Sequence, residues 1–186
     1  MIMKNLINYP RTSHLPFSLG IQTDDHTIKS MDAFISQDIV VTVKMDGENC
    51  GMTRERCYVR SLDSRDHPSR HWAKQFHEEI KHKIPEGWTV FNENVYAKHS
   101  IAYTGLPSYV MGLSVWDETN TCLSWDDTLY CFKEIGIHPV PVLFRGKYDL
   151  ELLQILARKF NTEKNEGFVV RVSGQIAYND FLTKVA

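Results

Sequence analysis

Ile39-Val40-Val41-Thr42-Val43-Lys44-Met45-Asp46-Gly47-Glu48-Asn49 is the stretch on which the reading of the whole chain turns. Its first part is dense in β-branched residues, which fit a pleated strand. Asp46-Gly47 is a turn signal that ends it. Side chains alternate across a strand. Ile39, Val41, Val43 and Met45 are therefore expected on one face, and Val40, Thr42 and Lys44 on the other. The first face reads as core, and the second carries a lysine amine at the strand end, pointing away from that core. Gly47 lets a ligand approach the backbone closely, and Asn49 offers a donor and an acceptor to a sugar or base. An amine attacks an electrophile only once it has shed its proton, and a nearby cation such as a metal ion favours that loss. A K-x-D-G string by itself is weak evidence for such chemistry, since a surface turn explains it better.

Outward from this stretch, Cys57 to Ser61 reads as a short strand. Pro68 suits a first helical position. Trp72, Phe76 and Ile80 recur every four residues, predicting a helix from Pro68 to Lys83 with one apolar stripe, which Pro85-Glu86-Gly87 stops. Trp88 to Glu93 and Tyr109 to Trp116 read as strands. Asp127 to Ile135 reads as a helix closed by Gly136. Val140 to Phe144 is a strand whose prolines suggest an edge. Asp149 can cap a helix running to Phe160, and Phe168 to Val172 is a last strand. Strands and helices mix without regular βαβ alternation, so the class is α+β with antiparallel or mixed sheets.

The 186 residues suffice for one domain with a substantial core. Hydrophobic residues at 42% and charged residues at 24% exclude a disordered or membrane chain. No apolar run is long enough to span a membrane, and Met1 to Pro10 lacks a secretory signal. Cys50, Cys57, Cys122 and Cys131 form no C-x-x-C pair, which points to free thiols in a reducing, cytoplasmic setting. The net charge of −2 argues against a large non-specific grip on nucleic acid. Between Arg54 and Lys83, however, stand eight Lys/Arg, five Asp/Glu and four His. This stretch could face a polyanion or be a solvated face of mixed charge. His67 and His71 have helical metal-ligand spacing, but nothing completes a ligand set, so a solvated or capping role is expected.

Four strings in order carry a resemblance. Lys44-Met45-Asp46-Gly47-Glu48-Asn49 resembles motif I, K-x-D-G-x-N, of the covalent nucleotidyltransferases, in the form found in ATP-dependent RNA ligases. Phe91-Asn92-Glu93-Asn94-Val95-Tyr96-Ala97 resembles motif III, Val115-Trp116-Asp117 motif IIIa, and Glu166-Gly167-Phe168-Val169-Val170-Arg171 motif IV. Tyr9-Pro10-Arg11-Thr12 to Leu15, Arg60 to Arg65 and Tyr96 to Ile101 look like a bacterial and phage group of RNA ligases. The resemblance covers essentially the whole chain, 1–186, as an adenylyltransferase domain. It implies the ligase adenylation fold, with sheets flanked by helices around an ATP cleft. Members carry a motif V with two close lysines. Lys184 stands at a suitable distance, but Val185 and Ala186 follow it, so a missing C-terminal part or a partner protein is expected.

The resemblance implies roles. Lys44 attacks the α-phosphorus of ATP to give lysyl-AMP. AMP then passes to an RNA 5′-phosphate, and a 3′-OH end displaces it in RNA repair. Mg²⁺ or Mn²⁺ is implied by the triphosphate. Asp46, Glu93 and Glu166 are expected around the metal or divided between metal and ribose. Met45, Gly47 and Asn49 are expected at the nucleotide, Arg60 at its ribose or phosphate, and Lys184 at the α-phosphate. Trp116 is expected to stack on adenine, Arg171 to support motif IV, and His99 to reach the nucleotide or RNA end. Two alternatives stay open: a DNA ligase or capping type of nucleotidyltransferase, and a catalytically impaired nucleotide- or RNA-binding module.

Overall fold

The computed structural model describes residues 6–18, 26–59, 67–160 and 166–186. The strand read first is β1, Asp38–Lys44. It is the middle strand of a three-stranded antiparallel sheet, between β8, Val142–Lys147, and β9, Gly167–Val172. The prolines near Val140 rightly marked an edge, because among the described residues β8 has β1 on one side only. A seven-stranded sheet holds the remaining strands. Its central run joins β2, Glu48–Met52, to β4, Thr89–Asn94, and β4 to β5, Val110–Trp116. The short β3, Cys57–Val59, lies beyond β2, and β6, Thr121–Cys122, and β10, Ile176–Ala177, lie beyond β5. The two-residue β7, His138–Pro139, runs parallel to β5. Asp46-Gly47 is thus one crossing from the small sheet to the large one.

Both faces of β1 are covered, contrary to the one-sided reading of its alternation. Ile39 and Val41 pack in a cluster with Phe91, Trp116, Leu153 and Phe181. Val40, Val43 and Met45 pack in another with Val95, Met111 and Trp125. A central strand between two layers buries side chains of both parities. A third cluster seats the helix α1, His71–Ile80, on the large sheet through Ala73 and Ile80.

Helix ends follow local chemistry. His67 accepts a hydrogen bond from the Ser69 amide at the head of the turn leading into α1, as its expected capping role requires. Ser124 caps α2, Trp125–Ile135, and Gly136 closes it with φ 96°. Asp149 caps α3, Leu150–Lys159, by accepting from the Leu152 amide. A short α4, Phe181–Lys184, follows β10. Among the described residues, no helix is long and apolar enough to cross a membrane.

Candidate active site

Lys44 is the last residue of β1 and lies opposite Gly167 in the ladder with β9. That register brings Glu166, the residue before β9, against the amine. Lys44 Nζ donates a hydrogen bond to Glu166 Oε1, and both side chains stay partly exposed. The chain then crosses at Asp46-Gly47. A β-carbon at Gly47 would collide with the Asn94 carbonyl oxygen, so glycine here makes room for the end of β4.

Glu93 stands directly opposite Asn49 in the β2–β4 ladder. Burial first, then the neighbouring Glu166 carboxylate, push the Glu93 carboxyl up to about 8. Hydrogen bonds from the Gly47 backbone and the Asn49 side chain, and the Lys44 charge, oppose that rise. Asn49 Oδ1 is buried without a hydrogen-bond partner among the described residues, which leaves an acceptor for a ligand donor.

Asp46 has a structural part that the sequence reading did not give it. Its Oδ2 accepts from the Ser100 amide at 2.7 Å, the Ser100 hydroxyl at 2.5 Å and the Ile101 amide at 2.8 Å. Its own amide donates to the Tyr103 hydroxyl at 2.8 Å. Burial raises its carboxyl, but the hydrogen bonds from Ser100 and Ile101 and the nearby His99 outweigh this and hold it below the usual carboxylate range. The side chain therefore pins the 99–101 loop across the turn.

Asp46, Glu93 and Glu166 all line the cleft but do not gather into a direct three-carboxylate cluster. Among the described residues no group of three such ligands forms, because Asp46 is turned to the loop. Glu93 and Glu166 remain a mutually repelling pair at an open cleft. That donor chemistry suits a hydrated Mg²⁺ or Mn²⁺, which needs few protein ligands.

The cleft measures about 720 Å³, within the usual range for small-molecule sites. Lys44, Met45, Asp46, Gly47, Asn49, Glu93 and Glu166 all line it, so motifs I, III and IV converge. The Asn8 to Thr12 segment forms another wall. It is tied down by Tyr58 donating to the Ile7 carbonyl at 2.8 Å and by Tyr9 packing on Phe91 and Phe181. The sequence singled this segment out only by resemblance, and no spacing rule marks Arg11 as a cleft residue. Arg70 also lines the cleft while forking onto Glu48 (Nε to Oε2, 2.7 Å). Arg171 is buried and donates to the Leu123 and Val172 carbonyls, bracing motif IV as expected.

Two expected contacts differ, and a third lies outside the described residues. Trp116 does not line the cleft. Its ring is fully buried among Phe91, Tyr178 and Phe181, and its Nε1 donates to Ser114 Oγ. An indole enclosed in this way offers no face to adenine. Lys184 also does not line the cleft. Its Nζ pairs with Asp180 one helical turn back at 2.9 Å, while the next residue, Val185, reaches the cleft. Arg60 lies outside the described residues, as does the string to Arg65.

A sequence model described as RNA ligase matches residues 37–186. No curated protein matches the chain. Among solved structures, the chain resembles an archaeal ATP-dependent RNA ligase with TM-score 0.64 and 12% identity, over 90% of this chain and 45% of that one. It also resembles a variant of Naegleria gruberi RNA ligase with ATP and Mn, with TM-score 0.59 and 17% identity, over 82% of this chain and 53% of that one. Such identities establish the fold. The chain spans about half the length of these structures.

Proposed function

Because this chain belongs to the RNA ligase family, we propose that it is an ATP-dependent RNA ligase whose covalent nucleophile is Lys44. The observation that carries the reading is the Lys44–Glu166 hydrogen bond at the mouth of a cleft that Glu93 and Asn49 also line. Lys44 Nζ forms a bond to the α-phosphorus of ATP. The bond to the bridging oxygen breaks, and pyrophosphate leaves with the electron pair. Glu166, already hydrogen-bonded to the amine, is positioned to take the proton. A 5′-phosphate oxygen of RNA then displaces the amine from the AMP phosphorus, and the 3′-OH of a second end displaces AMP to form the phosphodiester.

Asn49 meets the base or ribose through its unpartnered carbonyl oxygen. Arg11, which makes no ion pair or hydrogen bond among the described residues, faces the phosphates. Glu93 and Glu166 would hold the divalent ion, which when bound neutralises triphosphate charge. The apolar surroundings of Met45 keep the strand end rigid, so the amine is presented in one geometry.

Intact mass measurement after incubation with ATP and Mg²⁺ tests this. One AMP is expected on the wild type and none on Lys44→Ala. ATP bound without an adduct would support the second reading, a nucleotide-binding module without turnover, which the pairing of Lys184 to Asp180 favours. Labelling by GTP in place of ATP would indicate a capping type of enzyme.

A further inference from the structure

Beyond the end of β4, outside the cleft lining, stand aromatic rings that the chemistry above does not use. Tyr96 and Tyr109 are 49% and 45% exposed. Their rings meet edge to face at 5.2 Å. Tyr109 meets Trp72 of α1 in the same manner at 5.4 Å, and Trp72 stacks on Phe76 at 5.4 Å with an 11° angle. Trp72 and Phe76 also pack against the core. Tyr96 and Tyr109 stand outside the three core clusters and keep much of their ring surface open to solvent.

The rings are tied to the active site through the backbone. Asn94 at the end of β4 reaches the Ser69 carbonyl at 3.1 Å, and the Val95 amide donates to the Tyr109 carbonyl at 2.8 Å. Tyr96 is three residues from Glu93, so the two are at most about 11 Å apart. Lys98 and His99 are exposed in the loop that follows Tyr96, and His99 lines the cleft, whereas Arg70, which also lines it, is paired with Glu48. The acidic residues of α1, Glu78 and Glu79, sit toward its other end.

Exposed aromatic rings beside cations are the recognition chemistry of single-stranded nucleic acid, in which bases stack while phosphates meet the charges. We propose that Tyr96 and Tyr109, backed by Trp72, form a stacking platform for unpaired bases of the RNA strand whose end enters the cleft. This rests on the reading of the chain as an RNA ligase. It assigns the strand a path from Glu93 past His99 and Lys98 onto the two tyrosines.

The test measures binding of a 5′-phosphorylated RNA strand of about ten nucleotides by fluorescence anisotropy, with lysyl-AMP formation followed separately. The Tyr96→Ala/Tyr109→Ala variant is expected to bind about tenfold more weakly, the scale of one lost stacked base. Tyr96→Phe/Tyr109→Phe, which keeps the rings, should bind as the wild type does. An abasic strand of equal length should bind the wild type as weakly as RNA binds the alanine variant. Lysyl-AMP formation should be equal in all three proteins. Equal RNA affinity of the wild type and the alanine variant, no binding by the wild type, or equal binding of abasic and normal strands overturns the platform. The abasic comparison decides alone if the alanine variant fails to fold. Platform-dependent binding by a protein that forms no lysyl-AMP would instead leave the platform standing and remove the ligase reading.

Discussion

Lys44 and Glu166 form the contact on which the chemistry depends. Glu166→Gln keeps the shape and removes the proton acceptor. Single-turnover lysyl-AMP formation is expected to fall about 100-fold or more, and an unchanged rate would remove Glu166 from its role. Glu93 gives a pH signature in the ligand-free protein. Its folded value, about 8, lies above that of an unfolded glutamate. The folded state therefore holds the extra proton, and stability falls as pH rises from about 4 to about 8. Glu93→Gln should flatten this fall, so the variant gains on the wild type toward pH 8 in urea denaturation. The resemblance of motifs I, III and IV picked out Lys44, Glu93 and Glu166, which stand beside strand termini and meet in one cleft. It misplaced Trp116. All residues of β5 but Leu113 are buried, so alternation gave no cue to which neighbour faces the cleft. It gave no sign of the hold of Asp46 on the 99–101 loop, since its partners there are 54 and 55 residues away in sequence.

The crossing from β1 to β2 shows what an element adds to its residues. Asp46 fastens the 99–101 loop to the turn, and Asp46→Ala would leave the Ser100 and Ile101 amides without that acceptor. A loss of about 1 kcal/mol is expected near neutral pH, because the site is partly solvated. Amide hydrogen exchange at Ser100 and Ile101 should accelerate. The Asp46 carboxyl is held below its ordinary value. Its contribution is therefore complete above about pH 4 and is lost as pH falls through the lower folded value. The stability gap between wild type and variant should be constant near neutrality and close in acid; a gap that persists there would assign it to packing. The existence and type of the long elements were readable from periodicity and caps: α1 from its four-residue stripe, α3 from Asp149. The two-sided burial of β1 was not, since a run of β-branched residues looks alike with one face covered or two.

For the whole molecule, filling the cleft should be visible as added stability. ATP with Mg²⁺ at a hundredfold excess over Kd adds about 2.7 kcal/mol, which raises Tm by about 5 to 10 °C for a chain of this size. After free nucleotide is removed, the wild type should keep a shift through its bound AMP, and Lys44→Ala should return to the ligand-free value. No shift in either protein would argue against a nucleotide site in this cleft. The division of the site between two sheets has a mechanical corollary. The amine and Glu166 ride on adjacent strands of the small sheet, whereas Glu93 and Asn49 ride together on the large one. They form two jaws, joined at Asp46-Gly47 and again where β7 leads to β8 and β9 to β10. A slide or tilt of one jaw against the other leaves the amine with its proton acceptor and Glu93 with its amide partner. What changes is the gap across which the α-phosphorus must be gripped.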